Sequence, residues 1–122
     1  MILIVDDNDS IREMQVAVLE SSNYVVREAA DGARALALAE ERRPSLVLMD
    51  ITMPGMTGYQ VLARLRELYG TELPIVMVSA LPEDEERETA ISRGATDFIS
   101  KPFDIPSVLQ CVRQYLQQPE VA

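Results

Sequence analysis

Histidine is absent from this 122-residue chain, and cysteine occurs once, as Cys111. Zinc sites built on imidazole or thiolate clusters, Ser-His-Asp triads and Cys-His pairs therefore lack their parts. A lone cysteine also forbids a disulfide within the chain, which fits a reducing compartment. Cationic side chains are scarce: 11 Lys and Arg stand against 20 Asp and Glu, a formal charge of -9. That balance argues against nucleic acid as a direct partner, because counterion release needs cations facing the phosphates. Long apolar runs are missing as well. The first run, Ile2 to Val5, has no basic stretch before it and stops at Asp6-Asp7, so it reads as neither a signal peptide nor a membrane span. The chain reads as cytoplasmic, with no membrane partner. Its chemistry must run on carboxylates, hydroxyls, a cation and a hard metal.

What remains suffices for one domain. With 48% apolar and 25% charged residues, the composition is that of a globular chain with room for a single core. Ile2–Val5, Leu46–Met49, Ile75–Val78 and the weaker Phe98-Ile99 are too short for helices and too continuous for half-exposed strands. They suit strands covered on both faces, and Val25–Ala29 suits an edge strand. Between them the spacing turns helical. Ser10 with Glu13 suggests a capping box, with Ile11, Met14 and Val18 on one face. Asp31-Gly32 precede an Ala- and Leu-rich helix ending before Pro44, and a stripe of Gly58, Val61, Leu62, Leu65, Leu68 and Tyr69 is stopped by Gly70. Ile105, Val108, Leu109, Val112 and Leu116 form the last stripe, leaving Cys111 off it. Pro82 to Arg93 crowds five acids into its first turns around two apolar residues, Ala90 and Ile91, and predicts a weakly packed helix. Five such alternations imply an α/β fold, a parallel sheet with helices on both faces and right-handed crossovers. Residues 1–118 read as the domain and 119–122 as a tail or the start of a linker.

In such sheets ligands bind beyond the carboxyl ends of the strands. The first strand ends in Asp6-Asp7, the third in Asp50, the fourth in Ser79, and the fifth runs through Ser100 into Lys101. Each alone suits a helix cap; together they bring three carboxylates, a hydroxyl and an ammonium to one rim. Lys101 is the only lysine in the chain, a compact point charge where every other cation is an arginine. Three clustered carboxylates repel one another beyond what one ammonium relieves, so a divalent cation with oxygen ligands, Mg²⁺ or Mn²⁺, is implied. A carboxylate in that setting can act as a nucleophile toward phosphorus.

At Asp6-Asp7, Asp50 to Gly58, Val78-Ser79-Ala80 and Gly94 to Phe103 the chain resembles the receiver domain of two-component response regulators. The resemblance covers nearly the whole chain and implies a flavodoxin-like sheet of order 2-1-3-4-5 with five helices. It implies Asp50 as phosphoacceptor, Asp7, Asp50 and the Thr52 backbone carbonyl as Mg²⁺ ligands, and Asp6 as a ligand through water. Ser79 and Lys101 would grip the phosphoryl oxygens, Ser79 and Phe98 would form the switch, and the Lys101-Pro102 bond would be cis. Phe98 stands where relatives commonly carry tyrosine, so an output contact through that hydroxyl is lost. A chain without histidine must take its phosphoryl group from a separate sensor histidine kinase or phosphotransfer domain, and pass the signal to a downstream effector. A homodimer is compatible with the family. Thr52 and Leu81 fall where relatives tune water attack and carry no acid or base, which implies slow to moderate self-dephosphorylation. The chain would then be no enzyme beyond its own phosphorylation and dephosphorylation. Two rivals stand beside this reading: an aspartyl-nucleophile phosphohydrolase, on a faint likeness in Asp7-Asn8-Asp9, and a degenerate receiver serving as a constitutive docking module.

Overall fold

The computed structural model describes residues 1–101 and 104–116. Strands β1 (Ile2–Val5), β2 (Val26–Ala29), β3 (Leu46–Asp50), β4 (Ile75–Ser79) and β5 (Asp97–Ser100) alternate with helices α1 (Asp9–Ser21), α2 (Gly32–Glu41), α3 (Gly58–Tyr69), α4 (Glu83–Ser92) and α5 (Ile105–Tyr115). All pairings are parallel, and the order is β2-β1-β3-β4-β5, as expected. The chain winds outward in one direction from β1 to β2 and in the other from β3 to β5. The carboxyl ends of the neighbours β1 and β3 therefore flank the switch point of the sheet.

The apolar runs bury both faces because alternate residues point to opposite sides. Leu3, Val5, Val47, Met49, Ile75, Met77 and Phe98 meet Ala35 and Leu38 of α2, Val61, Leu62 and Leu65 of α3, and Ala90 of α4. Ile2, Ile4, Leu46, Leu48 and Val76 meet Leu19 of α1 and Val108, Cys111 and Val112 of α5 on the other face. Burying each large aliphatic side chain contributes about 1.5–3 kcal/mol, so the three inner strands dominate the core. β2 is the half-exposed edge its Arg27 and Glu28 foretold.

Several local expectations are corrected. Helix α1 is capped by Asn8, whose side-chain oxygen accepts from the Ile11 N–H at 3.0 Å, and not by Ser10, which lies inside the helix. Starting there rotates the helix so that Gln15 and Leu19 are buried, while Ile11, Met14 and Val18 are only half covered. Leu68 is 41% exposed and Ile105 50%, because the sheet is reached by Val61, Leu62 and Leu65 of α3 and by Val108, Cys111 and Val112 of α5. Cys111, read as lying off the stripe, is thus part of the core. Gly70 ends α3 with φ of 72°, a conformation only glycine adopts cheaply. The Lys101-Pro102 bond, Phe103 and residues 117–122 lie outside the described residues.

Candidate functional site

Strand ends β1, β3 and β4 each finish in a polar residue that folds its own turn. An Asp6 Oδ1 accepts from the Asn8 N–H at 2.9 Å, an Asp50 Oδ1 from the Thr52 N–H at 3.4 Å, and the Ser79 Oγ from the Leu81 N–H at 3.0 Å. These side-chain-to-backbone turns bend the chain away two residues later and leave the second carboxylate oxygens facing inward. None of the three caps a helix; that task falls to Asn8, Asp31, Thr57 and Asp104.

The inward oxygens converge on one cation. Lys101 Nζ lies 3.0 Å from Asp6 Oδ2 and 3.3 Å from Asp50 Oδ2. Its backbone N–H donates to the Ser79 carbonyl at 2.7 Å, which fixes β5 beside β4 where the side chain departs. Asp6, Asp50 and Ser79 are buried, whereas Asp7 is exposed. Asp6, Asp7 and Asp50 each offer one carboxylate oxygen, all within 4.8 Å of one another. An all-oxygen donor set, with one member open to solvent, matches a hard divalent cation that keeps part of its water.

Burial raises the Asp50 carboxyl above its ordinary pKa, and the Asp6 charge adds to the rise, while Lys101 and the Thr52 N–H oppose without cancelling it. For Lys101 burial works to lower the pKa, yet the Asp6 hydrogen bond and the charges of Asp50 and Asp6 carry it above the usual value. Burial thus works against the charged form of Asp50, while the two neighbouring carboxylates favour the charged form of Lys101.

A close approach fixes Asp50 from behind. A Cβ on Gly58 would lie 2.2 Å from the Asp50 carbonyl oxygen and 2.9 Å from the Ile51 Cα. Only glycine lets α3 begin there, with its Gly58 N–H donating to the Ile51 carbonyl at 2.8 Å and the Thr57–Gln60 capping box closing its first turn. Phe98, three residues before Lys101, is 2% exposed with its ring turned inward. Arg87 of α4 covers it, its guanidinium carbon 5.6 Å from the ring centroid and its Nη2 donating to the Phe98 carbonyl at 3.1 Å.

The site residues read from the sequence, Asp6, Asp7, Asp50, Ser79 and Lys101, thus meet on one rim, with Thr52 exposed beside them and Phe98 below. Missing from the sequence reading were the clearance role of Gly58, the Arg87 cover and Arg12, whose Nη1 donates to the Asp6 carbonyl at 2.8 Å. A glycine at the first position of a capped helix was the available signal for Gly58; the two arginines act across the fold and leave none nearby.

Comparison with known proteins settles the family. Residues 2–113 match the model for the response regulator receiver domain. The chain belongs to that family. The receiver domain of NtrX from Brucella abortus superposes with a TM-score of 0.89 at 35% identity, over 96% of this chain and 98% of that one. Vibrio cholerae chemotaxis protein CheY4 gives 0.88 at 34% identity, over 94% and 97%. Among curated relatives, the DNA-binding dual master transcriptional regulator RpaA of Synechocystis is 34% identical over 98% of this chain and 50% of its own length. The transcriptional regulatory protein SrrA of Staphylococcus aureus is 38% identical over 98% and 48%. This receiver domain therefore spans about half the length of those two regulators. The expectation that nucleic acid is no partner does not extend to the longer relatives. RpaA is named as DNA-binding, and the acidity of a receiver half says nothing about what another half contacts. No helix among the described residues is long and apolar enough to cross a membrane.

Proposed function

We propose that this receiver domain takes a phosphoryl group onto Asp50 from the phosphohistidine of a sensor histidine kinase or phosphotransfer domain, in the cytoplasm, and presents the change to a downstream effector. Residues 1–118 would form the working unit. An Asp50 carboxylate oxygen attacks phosphorus; the O–P bond forms as the N–P bond breaks, and the imidazole keeps that electron pair and takes up a proton. Asp6, Asp7, Asp50 and the Thr52 carbonyl would hold Mg²⁺, or Mn²⁺, which when bound neutralises charge between carboxylates and phosphoryl oxygens. Lys101, held charged by its partners, supplies the facing counter-charge. Because the Ser79 oxygen already accepts from Leu81, its own proton is left to donate to a phosphoryl oxygen. Moving Ser79 disturbs β4 where it pairs with β5, and Phe98 with its Arg87 cover carries that shift to α4.

The observation that carries this reading is the ammonium of Lys101 within 3.0 and 3.3 Å of two buried carboxylates, with a third, exposed carboxylate beside them. Incubation with acetyl phosphate and Mg²⁺, read by intact mass and peptide mapping, is the test. One phosphoryl group per chain on Asp50, abolished by Asp50→Asn and strongly slowed by Lys101→Ala, is expected. Labelling that survives Asp50→Asn, or many turnovers of a phosphomonoester per chain, contradicts it.

A further inference from the structure

Asp7 is the exposed member of the acidic trio, and among the described residues its carboxylate makes no hydrogen bond. Its placement therefore depends on its backbone. The preceding carbonyl, that of Asp6, accepts from Arg12 Nη1 at 2.8 Å. The same guanidinium donates through Nε to Glu28 Oε1 of the edge strand at 2.9 Å and through Nη2 to Asp9 Oδ1 at 2.7 Å. Three donors of one planar group thus tie the turn after β1 to β2 and to the first residue of α1, and the Arg12 side chain is only 12% exposed. A lysine has no fixed fork with which to span three such acceptors.

We propose that Arg12 is a positioning residue for the divalent cation: by bracing the Asp6-Asp7 peptide against Glu28, it holds Asp7 where its carboxylate can reach the ion. This rests on the reading of Asp6, Asp7 and Asp50 as a cation site. Groups that orient metal ligands affect affinity without touching the ion. The guanidinium does this here through the main chain.

The test is Mn²⁺ alone, titrated into the full chain and followed by the electron paramagnetic resonance of free Mn²⁺, with thermal unfolding in chelator alongside. Asp7→Asn first checks the site reading. A parent chain that binds no Mn²⁺, or an Asp7→Asn chain that binds as the parent does, sinks that reading and this inference with it. Given the site, Arg12→Met is expected to weaken Mn²⁺ binding about tenfold, the lower end for lost support of a ligand. Coupling separates positioning from general damage: in the Asp7→Asn background, Arg12→Met should weaken the residual binding no further. Parent-like affinity in Arg12→Met, or a full additional loss in the double variant, overturns the proposal. If Arg12→Met does not fold in chelator, Glu28→Ala replaces it. It removes the β2 anchor and should weaken Mn²⁺ binding in the same direction, so parent-like binding there is the contradicting result.

Discussion

Helices α3 and α4 pack on the same face of the sheet, yet they are seated by different forces. α3 buries Gly58, Val61, Leu62 and Leu65 and opens with a complete capping box. α4 buries only Ala90, has no side-chain cap, and carries Glu83, Asp84, Glu85 and Glu86 in its first turn. What holds it is polar. Arg87 pairs with Asp97 of β5 and Glu83 of its own helix, each at 3.0 Å. Tyr59 of α3 donates to Glu86, and the Arg93 guanidinium lies 4.6 Å from the Tyr59 ring centroid. Buried aliphatic surface has no alternative partner, whereas each such polar contact is worth about 0.5–1.5 kcal/mol net because water replaces it readily. The helix that follows the Asp50 loop is thus seated by apolar burial, and the helix over Phe98 rests mainly on polar contacts.

Core truncation breaks the comparison hardest. Leu65→Ala in α3 should cost about 2–5 kcal/mol in denaturant unfolding, while Ile91→Ala in α4, 46% exposed, should stay within about 0.5 kcal/mol. Gly58→Ala comes next. Its Cβ meets main chain that cannot swing aside, so a loss of about 1–3 kcal/mol is expected, together with slower phosphoryl uptake by the displaced Asp50. Arg87→Leu should change global stability by about 1 kcal/mol or less, since its ion pairs are half exposed, but should speed amide hydrogen exchange in α4 and not in α3.

The smallest effect at neutral pH lies on the opposite face. Burial, with the Asp97 charge, pushes the Cys111 thiol up from its ordinary 9.0 to about 12. A native chain should therefore resist thiol alkylation at neutral pH. The folded thiol stays protonated where the unfolded one ionises, so its contribution lowers stability as pH rises from 9.0 towards about 12 and does nothing below that window.

The sheet was legible because its strands are continuous apolar runs that only a doubly covered sheet can bury. The site was legible because each run ends in a polar residue and parallel strands bring their carboxyl ends to one edge. Helix faces were harder to read. The stripe read on α5 put Ile105 inward and left Cys111 off it, whereas the sheet takes the cysteine and leaves Ile105 exposed. On α1 both Asn8 and Ser10 are good caps; the turn made by Asp6 and the Asn8 N–H decides between them by bending the chain one step earlier. Arg12 and Arg87 carried no mark in the sequence, because what they hold is a carbonyl or a ring that the fold brings to them.

Hydrogen exchange of the chain before and after phosphorylation of Asp50, resolved for α3 and α4, tests the difference between these helices most directly. Altered protection across α4 and β5 with α3 unchanged is the expected result. Identical protection in α4, or a change confined to α3, would contradict a switch seated on polar contacts.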